Sequence, residues 1–232
     1  MRKNNERLTA GEPLEYIRGY TEFLGCKIDL SKKPLIPRAE TEFWAQQAVN
    51  NILTFSRMLE CPVKILDMFS GSGCIGLAVL KNVKNSNVTF ADKDKKCLEQ
   101  IRINIEINQP LHKASAWRSK IIRSDIFSNV QEKFDYIFAN PPYVAISKIN
   151  KVQKSVLEYE PRIALFGGKD GLFYIRKFLK QAKSHLNKNG KIFMEFSPEQ
   201  KNKIEKLLKQ FKYKNWEFHK DQYGKWRWCV VE

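Results

Sequence analysis

The chain has 232 residues, 43% of them hydrophobic, with 41 Lys and Arg against 25 Asp and Glu for a formal charge of +16. That length suits one compact core with appendages, and no segment approaches the roughly 18 uninterrupted apolar residues of a membrane span, so a cytoplasmic protein is expected. The start MRKNNERLTAGEP has no apolar leader run, and five scattered cysteines without a CxxC pair, with three dispersed histidines, predict neither a disulfide framework nor a metal site. The positive excess favours an anionic partner such as nucleic acid or a ribonucleoprotein, against the simpler reading of a solvated surface.

Residues 1–62 read as an N-terminal extension packed on a core of residues 63–232. EYIRGYTEFLGCKIDL predicts a two-stranded hairpin with Gly25 near its turn, and TEFWAQQAVNNILTFSRML predicts an amphipathic helix. From Val63 onward strand-like and helix-like segments alternate, the signature of an α/β domain with a largely parallel, doubly wound sheet. VKILDM is the first strand, GCIGLAVLKNV its helix, NVTFAD the second strand and KKCLEQIRINIEIN the next helix. KIIRSDIF and FDYIFAN supply two more strands. GLFYIRKFLKQAKSHL is a helix that Asn189-Gly190 ends, and GKIFMEF is the fifth strand. SPEQKNKIEKLLKQF is a helix with Ser197 as its N-cap and Pro198 at its first position. YKNWEFHK and GKWRWCVVE form a C-terminal antiparallel hairpin, completing seven strands, with Trp226 and Trp228 on one packed sheet face rather than a base-stacking platform.

DMFSGSGCIG places Gly71, Gly73 and Gly76 between a strand and a helix, where glycines let a ligand approach the backbone. Asp92 ends the next strand, placed to bond ribose hydroxyls, so an adenosine-containing cofactor is predicted. Asp67 closes the first strand beside the loop. Its carboxylate would repel a pyrophosphate but could hold the ammonium of a methionine moiety, which favours S-adenosylmethionine over a nicotinamide dinucleotide. Asp125, at the end of the third strand, can accept from the adenine amine, with Ile126 and Phe127 packing on the ring; its simpler role is a helix or turn cap.

FANPPYV ends the fourth strand with Asn140, Pro141, Pro142 and Tyr143 beside the crevice in which open α/β sheets bind ligands. A planar amide or base amine has a delocalised lone pair and is a poor nucleophile. Accepting its two N–H bonds on the Asn140 side-chain oxygen and the Pro141 carbonyl would orient it and raise its electron density, while the prolines stiffen the loop and Tyr143 stacks on the planar group. No strong general base is required, and positioning dominates the catalysis.

GEPLEYIRGYTEFLG, LIPRAETE, ILDMFSGSGCIGLAVL, FANPPYV and EPRIALFGGKDGL together resemble the PrmC/HemK protein-glutamine methyltransferases, which modify peptide chain release factors. The resemblance covers most of the chain, and it implies a Rossmann-like S-adenosylmethionine-dependent methyltransferase fold. The substrate it implies is the glutamine of the release factor's Gly-Gly-Gln motif, methylated on its side-chain amide nitrogen. Arg38, Glu40, Thr41, Glu42 and Glu160 then join Asn140 and Tyr143 as substrate-pocket positions, and Phe69 and Lys93 join the cofactor set. The simpler reading makes Arg38 to Glu42 a helix-start cluster capped by Thr41 or Glu42, and Glu160 with Arg162 a local ion pair.

Two departures stand out. Phe69 occupies a position where the family often has a smaller residue, altering the loop's approach to the methionine end. Only about a dozen residues precede GEPLEY, where the family usually carries a helical N-terminal domain that helps grip the substrate. A DNA or RNA amino-methyltransferase shares NPPY and is encouraged by the charge, and a ribosomal-protein glutamine is another target, but a duplex substrate would need base flipping and a larger recognition surface. A catalytically idle ribosome-associated module is disfavoured by the intact motifs. A monomer meeting a release factor, with transient ribosome or RNA proximity, is expected.

Overall fold

The computed structural model describes residues 2–56, 61–109 and 117–232. Helices α1 (Arg2–Thr9) and α2 (Leu14–Arg18) precede a hairpin of β1 (Tyr20–Phe23) and β2 (Cys26–Asp29), and α3 (Ala39–Ser56) follows. EYIR is therefore helical, not an arm of the hairpin. Tyr16 is buried with its hydroxyl donating to the Pro34 carbonyl at 2.6 Å, and Gly19, at φ +84°, ends the turn by donating to the Glu15 carbonyl. Leu24 and Gly25 both have positive φ, making a two-residue turn whose twist matches the flanking strands. Glu42 accepts from the Leu24 N–H at 2.7 Å, so it fastens that turn. The end of the predicted helix, Arg57–Leu59, lies outside the described residues.

The main sheet has seven strands: β3 (Val63–Met68), β4 (Ser86–Asp92), β5 (Arg118–Arg123), β6 (Phe134–Ala139), β7 (Leu186–Glu195), β8 (Trp216–Lys220) and β9 (Trp226–Val231). Their order is β5-β4-β3-β6-β7-β9-β8; neighbours from β5 to β7 are parallel, and β9 pairs antiparallel with β7 and β8. The connections carry α4 (Cys74–Asn82), α5 (Lys95–Asn108), α6 (Lys154–Tyr159), α7 (Arg162–Leu165), α8 (Phe173–Ala182) and α9 (Lys201–Gln210). Alternation along the central strands divides the core. Ile65 and Phe138 join Trp44, Leu77 and Ile101 on one face, while Leu66 and Ile137 join Phe178 and Leu208 on the other. The N-terminal hairpin contributes Phe23 and Ile28 to the first of these clusters, so residues before Val63 share the core of the sheet.

Four boundaries depart from the sequence reading, each for a local reason. β5 stops at Arg123, because Ser124 folds back to bond the Ile126 carbonyl and Asn129 N–H, so Asp125 sits in a turn beyond the strand. Asn189-Gly190 does not end a helix; α8 has already ended at Ala182, and the pair lies in an irregularity of β7, where Phe134 pairs with Leu186 but Tyr136 with Lys191. Before α9 comes one tight turn, Pro198–Gln200, closed by a capping box between Ser197 and Gln200. Trp226 and Trp228 do not share a face. Lys220 pairs with Trp226 and His219 with Trp228, so Arg227 is an extra residue; Trp228 packs with Trp44, and Trp226 joins the opposite cluster.

After NPPY the chain passes through α6 and α7 and returns to lie against the motif. Val144 N–H donates to the Leu165 carbonyl and Gly167 N–H to the Val144 carbonyl, both at 2.9 Å, and Gln200 Nε2 bonds the Tyr143 and Gly171 carbonyls at 2.9 and 3.1 Å. A Cβ at Gly171 would meet the Tyr143 carbonyl at 2.3 Å, and φ there is +75°. Gly171→Ala is expected to cost well over 2 kcal/mol in denaturant unfolding and to lower turnover. Gly224→Ala, at φ +74° with open space around it, should cost only the backbone term of about 1 kcal/mol and leave turnover alone.

Candidate active site

β3 lies at the point where the sheet order reverses, with β4 on one side and β6 on the other, and a cleft opens at the carboxyl ends of these strands. Phe69 and Gly71 form one wall, both at positive φ. The glycine loop's N–H groups are already used: Gly71 donates to Asp92 Oδ2 at 2.9 Å, Gly73 to the Ser70 carbonyl at 2.7 Å and Gly76 to Asp67 Oδ2 at 3.0 Å. A pyrophosphate would find none of these three donors free, which removes the usual basis of dinucleotide binding at such a loop.

The loop instead gathers carboxyl groups. Asp67 is 1% exposed and its Oδ1 has no hydrogen-bond partner; burial pushes its pKa up to about 8, against the Gly76 N–H and with help from Asp92. Burial raises the Asp92 pKa too, although Asp92 accepts from the Gly71 and Asp94 N–H groups. Asp125 lines the cleft with no partner for its carboxylate among the described residues, and Ile126 beside it is buried at φ +55°. The two basic residues of the lining are engaged: Lys93 Nζ donates to the Tyr174 hydroxyl at 2.7 Å, and Arg38 pairs with Glu160 at 2.5 Å. Unpaired acceptors beside an apolar wall of Phe69, Ile75 and Ile126 suit a ligand with cationic centres, hydroxyls and a ring amine. S-adenosylmethionine has all of these. Asp67 and Gly73 stand behind the cleft surface rather than on it, so their role is to hold the loop and set its charge.

Asn140, Pro142 and Thr41 line the same cleft. Asn140 Nδ2 donates to Thr41 Oγ1 at 3.3 Å, and the Thr41 hydroxyl donates to Glu195 Oε2 at 2.6 Å. Glu195, 1% exposed, also accepts from Trp44 Nε1 at 2.7 Å and from the Tyr143 hydroxyl at 2.8 Å. Its pKa is raised by burial, with these three bonds opposing. Tyr143 and Pro141 are outside the cleft lining, so Tyr143 braces the motif through Glu195 instead of offering a free ring.

Glu160 is likewise engaged within the protein. It is 4% exposed and accepts from Arg38 and from the Ile36 N–H at 3.0 Å, strapping the LIPR segment; Arg162 stacks over Phe166 and is not its partner. Glu40 stands outside the lining, 3.9 Å from Arg227. Sequence reasoning missed Glu195, Trp44, Tyr174 and Gln200. A signal for Glu195 was present, since like Asp67 and Asp92 it is an acid ending a buried apolar strand.

The folded pKa of Asp67 lies above its unfolded value of about 3.9. Its contribution to stability is complete below that value and is lost as pH rises through about 8. Asp67→Asn keeps an acceptor for Gly76, and should gain on the wild type by up to ~1.4 kcal/mol per pH unit between pH 5 and 8. Denaturant unfolding of the ligand-free proteins at several pH values checks this; a constant difference would contradict it.

Comparison with known proteins agrees with this geometry. Residues 52–163 match the family model described as methyltransferase small domain. The chain is 34% identical to the release factor glutamine methyltransferase of Lactococcus lactis, over 98% of this chain and 80% of that protein. It is 36% identical to the one from Streptococcus pneumoniae, over 98% of this chain and 77% of that protein. The crystal structure of a methyltransferase from Pyrococcus furiosus shares the fold, with a TM-score of 0.59, 21% identity and coverage of 100% of this chain and 98% of that one. With about a third of its positions identical over nearly its whole length, the chain belongs to the release factor glutamine methyltransferase family.

Proposed function

We propose that this chain transfers a methyl group from S-adenosylmethionine to the side-chain amide nitrogen of the glutamine in the Gly-Gly-Gln motif of a peptide chain release factor. The observation that carries the reading is the place of Asn140: it directly follows β6, the strand next to β3, and lines the same cleft as Asp92 and Asp125. When bound, S-adenosylmethionine supplies the electrophilic methyl carbon. Asp92 would hold the ribose hydroxyls and Asp125 the adenine amine, with Phe69 and Ile126 against the ring and the sulfonium, while Asp67 holds the loop from behind the cleft surface.

The protein's task is to present a weak nucleophile in line. Asn140 Oδ1 and the Pro141 carbonyl, which has no donor among the described residues, accept the two N–H bonds of the substrate amide. This fixes the plane of the amide and favours charge on its nitrogen as the new bond forms. The proton departs after transfer, so a buried base is not needed, and alignment supplies much of the rate. Arg38 and Thr41 form the wall toward the substrate. The +16 charge supports a transient approach to the ribosome or RNA, and we take the enzyme to act as a cytoplasmic monomer; among the described residues no helix is long and apolar enough to cross a membrane.

The test offers release factor, ribosomal protein, DNA and RNA with radiolabelled S-adenosylmethionine, and locates the label by mass spectrometry. Label on the release factor glutamine supports the reading, and label on nucleic acid alone overturns it. Asn140→Ala should lower kcat about 100-fold to 1000-fold while the cofactor Kd changes little, because it removes an acceptor aimed at the reacting nitrogen. Calorimetry of cofactor binding beside steady-state kinetics separates the two effects.

A further inference from the structure

We infer that Thr41 and Glu195 are positioning residues of the transfer: together they decide which end of the Asn140 amide faces the substrate. This rests on the reading that Asn140 accepts a hydrogen bond from the reacting nitrogen. A side-chain amide has an acceptor end and a donor end of nearly the same shape, so the shape of a cleft does not choose between them. With its oxygen toward the cleft, Asn140 accepts the substrate N–H. Rotated by half a turn it would set its own N–H against that N–H, and the nitrogen would lose its acceptor.

The choice is made behind Asn140 by counting protons. Thr41 carries one hydroxyl proton, and its Oγ1 lies 2.6 Å from Glu195 Oε2 and 3.3 Å from Asn140 Nδ2. Glu195 accepts from three side chains at once, with Trp44 Nε1 able only to donate, and in this arrangement the Thr41 proton belongs to Glu195. The Thr41 oxygen is left with lone pairs toward Asn140, and only the NH₂ end of the amide can meet them. Oδ1 is thereby turned to the cleft.

Glu195 is kept as a pure acceptor by its other neighbours. Trp44 Nε1, a donor with no acceptor capacity, occupies Oε2 at 2.7 Å, and the Tyr143 hydroxyl occupies Oε1 at 2.8 Å. Arg227 adds a favourable field; its guanidinium is held by Asp221 at 3.1 Å. Thr41 itself is 2% exposed on α3, so it cannot swing away to find another partner. The relay runs from Glu195 through Thr41 to Asn140, the member whose oxygen meets the reacting nitrogen.

Thr41→Val and Thr41→Ser separate the hydroxyl from the packing of the side chain. Thr41→Val should lower kcat roughly 10-fold to 100-fold, with KM and cofactor Kd within about 3-fold, and Thr41→Ser should restore most of kcat. In the double variant with Glu195→Gln, the loss should be no greater than the larger single loss, as expected of residues acting through one amide. A second readout is independent of turnover. In protein labelled with ¹⁵N-asparagine, the Asn140 side-chain NH₂ pair, assigned by its absence in Asn140→Asp, should shift in Thr41→Val and hold its position in Thr41→Ser. Equal kinetic losses in Thr41→Val and Thr41→Ser, or an NH₂ pair unmoved in Thr41→Val, would overturn the inference. Failure of Asn140→Ala to affect turnover would instead overturn the reading of Asn140 as acceptor, whatever the NMR signal of the Thr41 variants shows.

Discussion

An ionised carboxylate in a protein interior costs several kcal/mol unless donors satisfy its oxygens, and the need of Glu195 for such donors organises this molecule. Three side chains answer it: Thr41 and Trp44 from α3, and Tyr143 from the segment after β6. All three are far from Glu195 in sequence and reach it because α3 packs on the sheet, where Trp44 stacks near Phe138 and Trp228. The segment before Val63 is thus part of the active site as well as of the core. Arg227 joins the group because the bulge in β9 adds one residue and turns the strand locally, bringing its guanidinium beside Asp221 and within 3.9 Å of Glu40.

The cofactor side of the cleft follows a related logic with the opposite outcome. Its loop satisfies the Gly71, Gly73 and Gly76 N–H groups on Asp92, Ser70 and Asp67, while the Asp125 carboxylate on the cleft has no partner among the described residues. The result is an acceptor-rich pocket that a cation and hydroxyls can complete and an anion cannot. Phe69 and Ile126 hold left-handed backbone conformations that cost of order 1 kcal/mol or more each. Packing holds them there, Phe69 against Tyr174 and Phe178 and Ile126 in the core beside Phe127, so the walls of the pocket are set before a ligand arrives.

The catalytic loop is rigid for reasons that lie outside it. Two consecutive prolines limit its backbone, but its carbonyls are fixed by Gln200 and by the close approach of Gly167 and Gly171, where a side chain would not fit. On the other side of the cleft, Glu160 ties Arg38 and the Ile36 amide to the start of α7. A reaction that depends on holding one amide nitrogen in line is served by this kind of bracing, since an error of about 1 Å can cost a factor of ~100 in rate.

The sequence by itself determined the elements whose signals are local. Alternating apolar strands and helices specified the parallel sheet, the spacing of the glycines and of Asp92 pointed to a cofactor loop, and Asn140 followed by two prolines marked where β6 stops beside the cleft. Even the preference for a cationic cofactor was legible, because Asp67 precedes the glycines in the chain. Tertiary structure decided everything that depends on partners distant in sequence. That the Tyr143 hydroxyl braces the loop depends on an acceptor 52 residues away, and that Glu160 is engaged depends on a donor, Arg38, 122 residues away. The bulges at Asn189-Gly190 and Arg227 arise from register between strands, which no single strand encodes. Local sequence states which groups a residue can bond; only the folded chain determines which of those groups it meets, because burial makes each donor and acceptor find a partner among the neighbours that packing supplies.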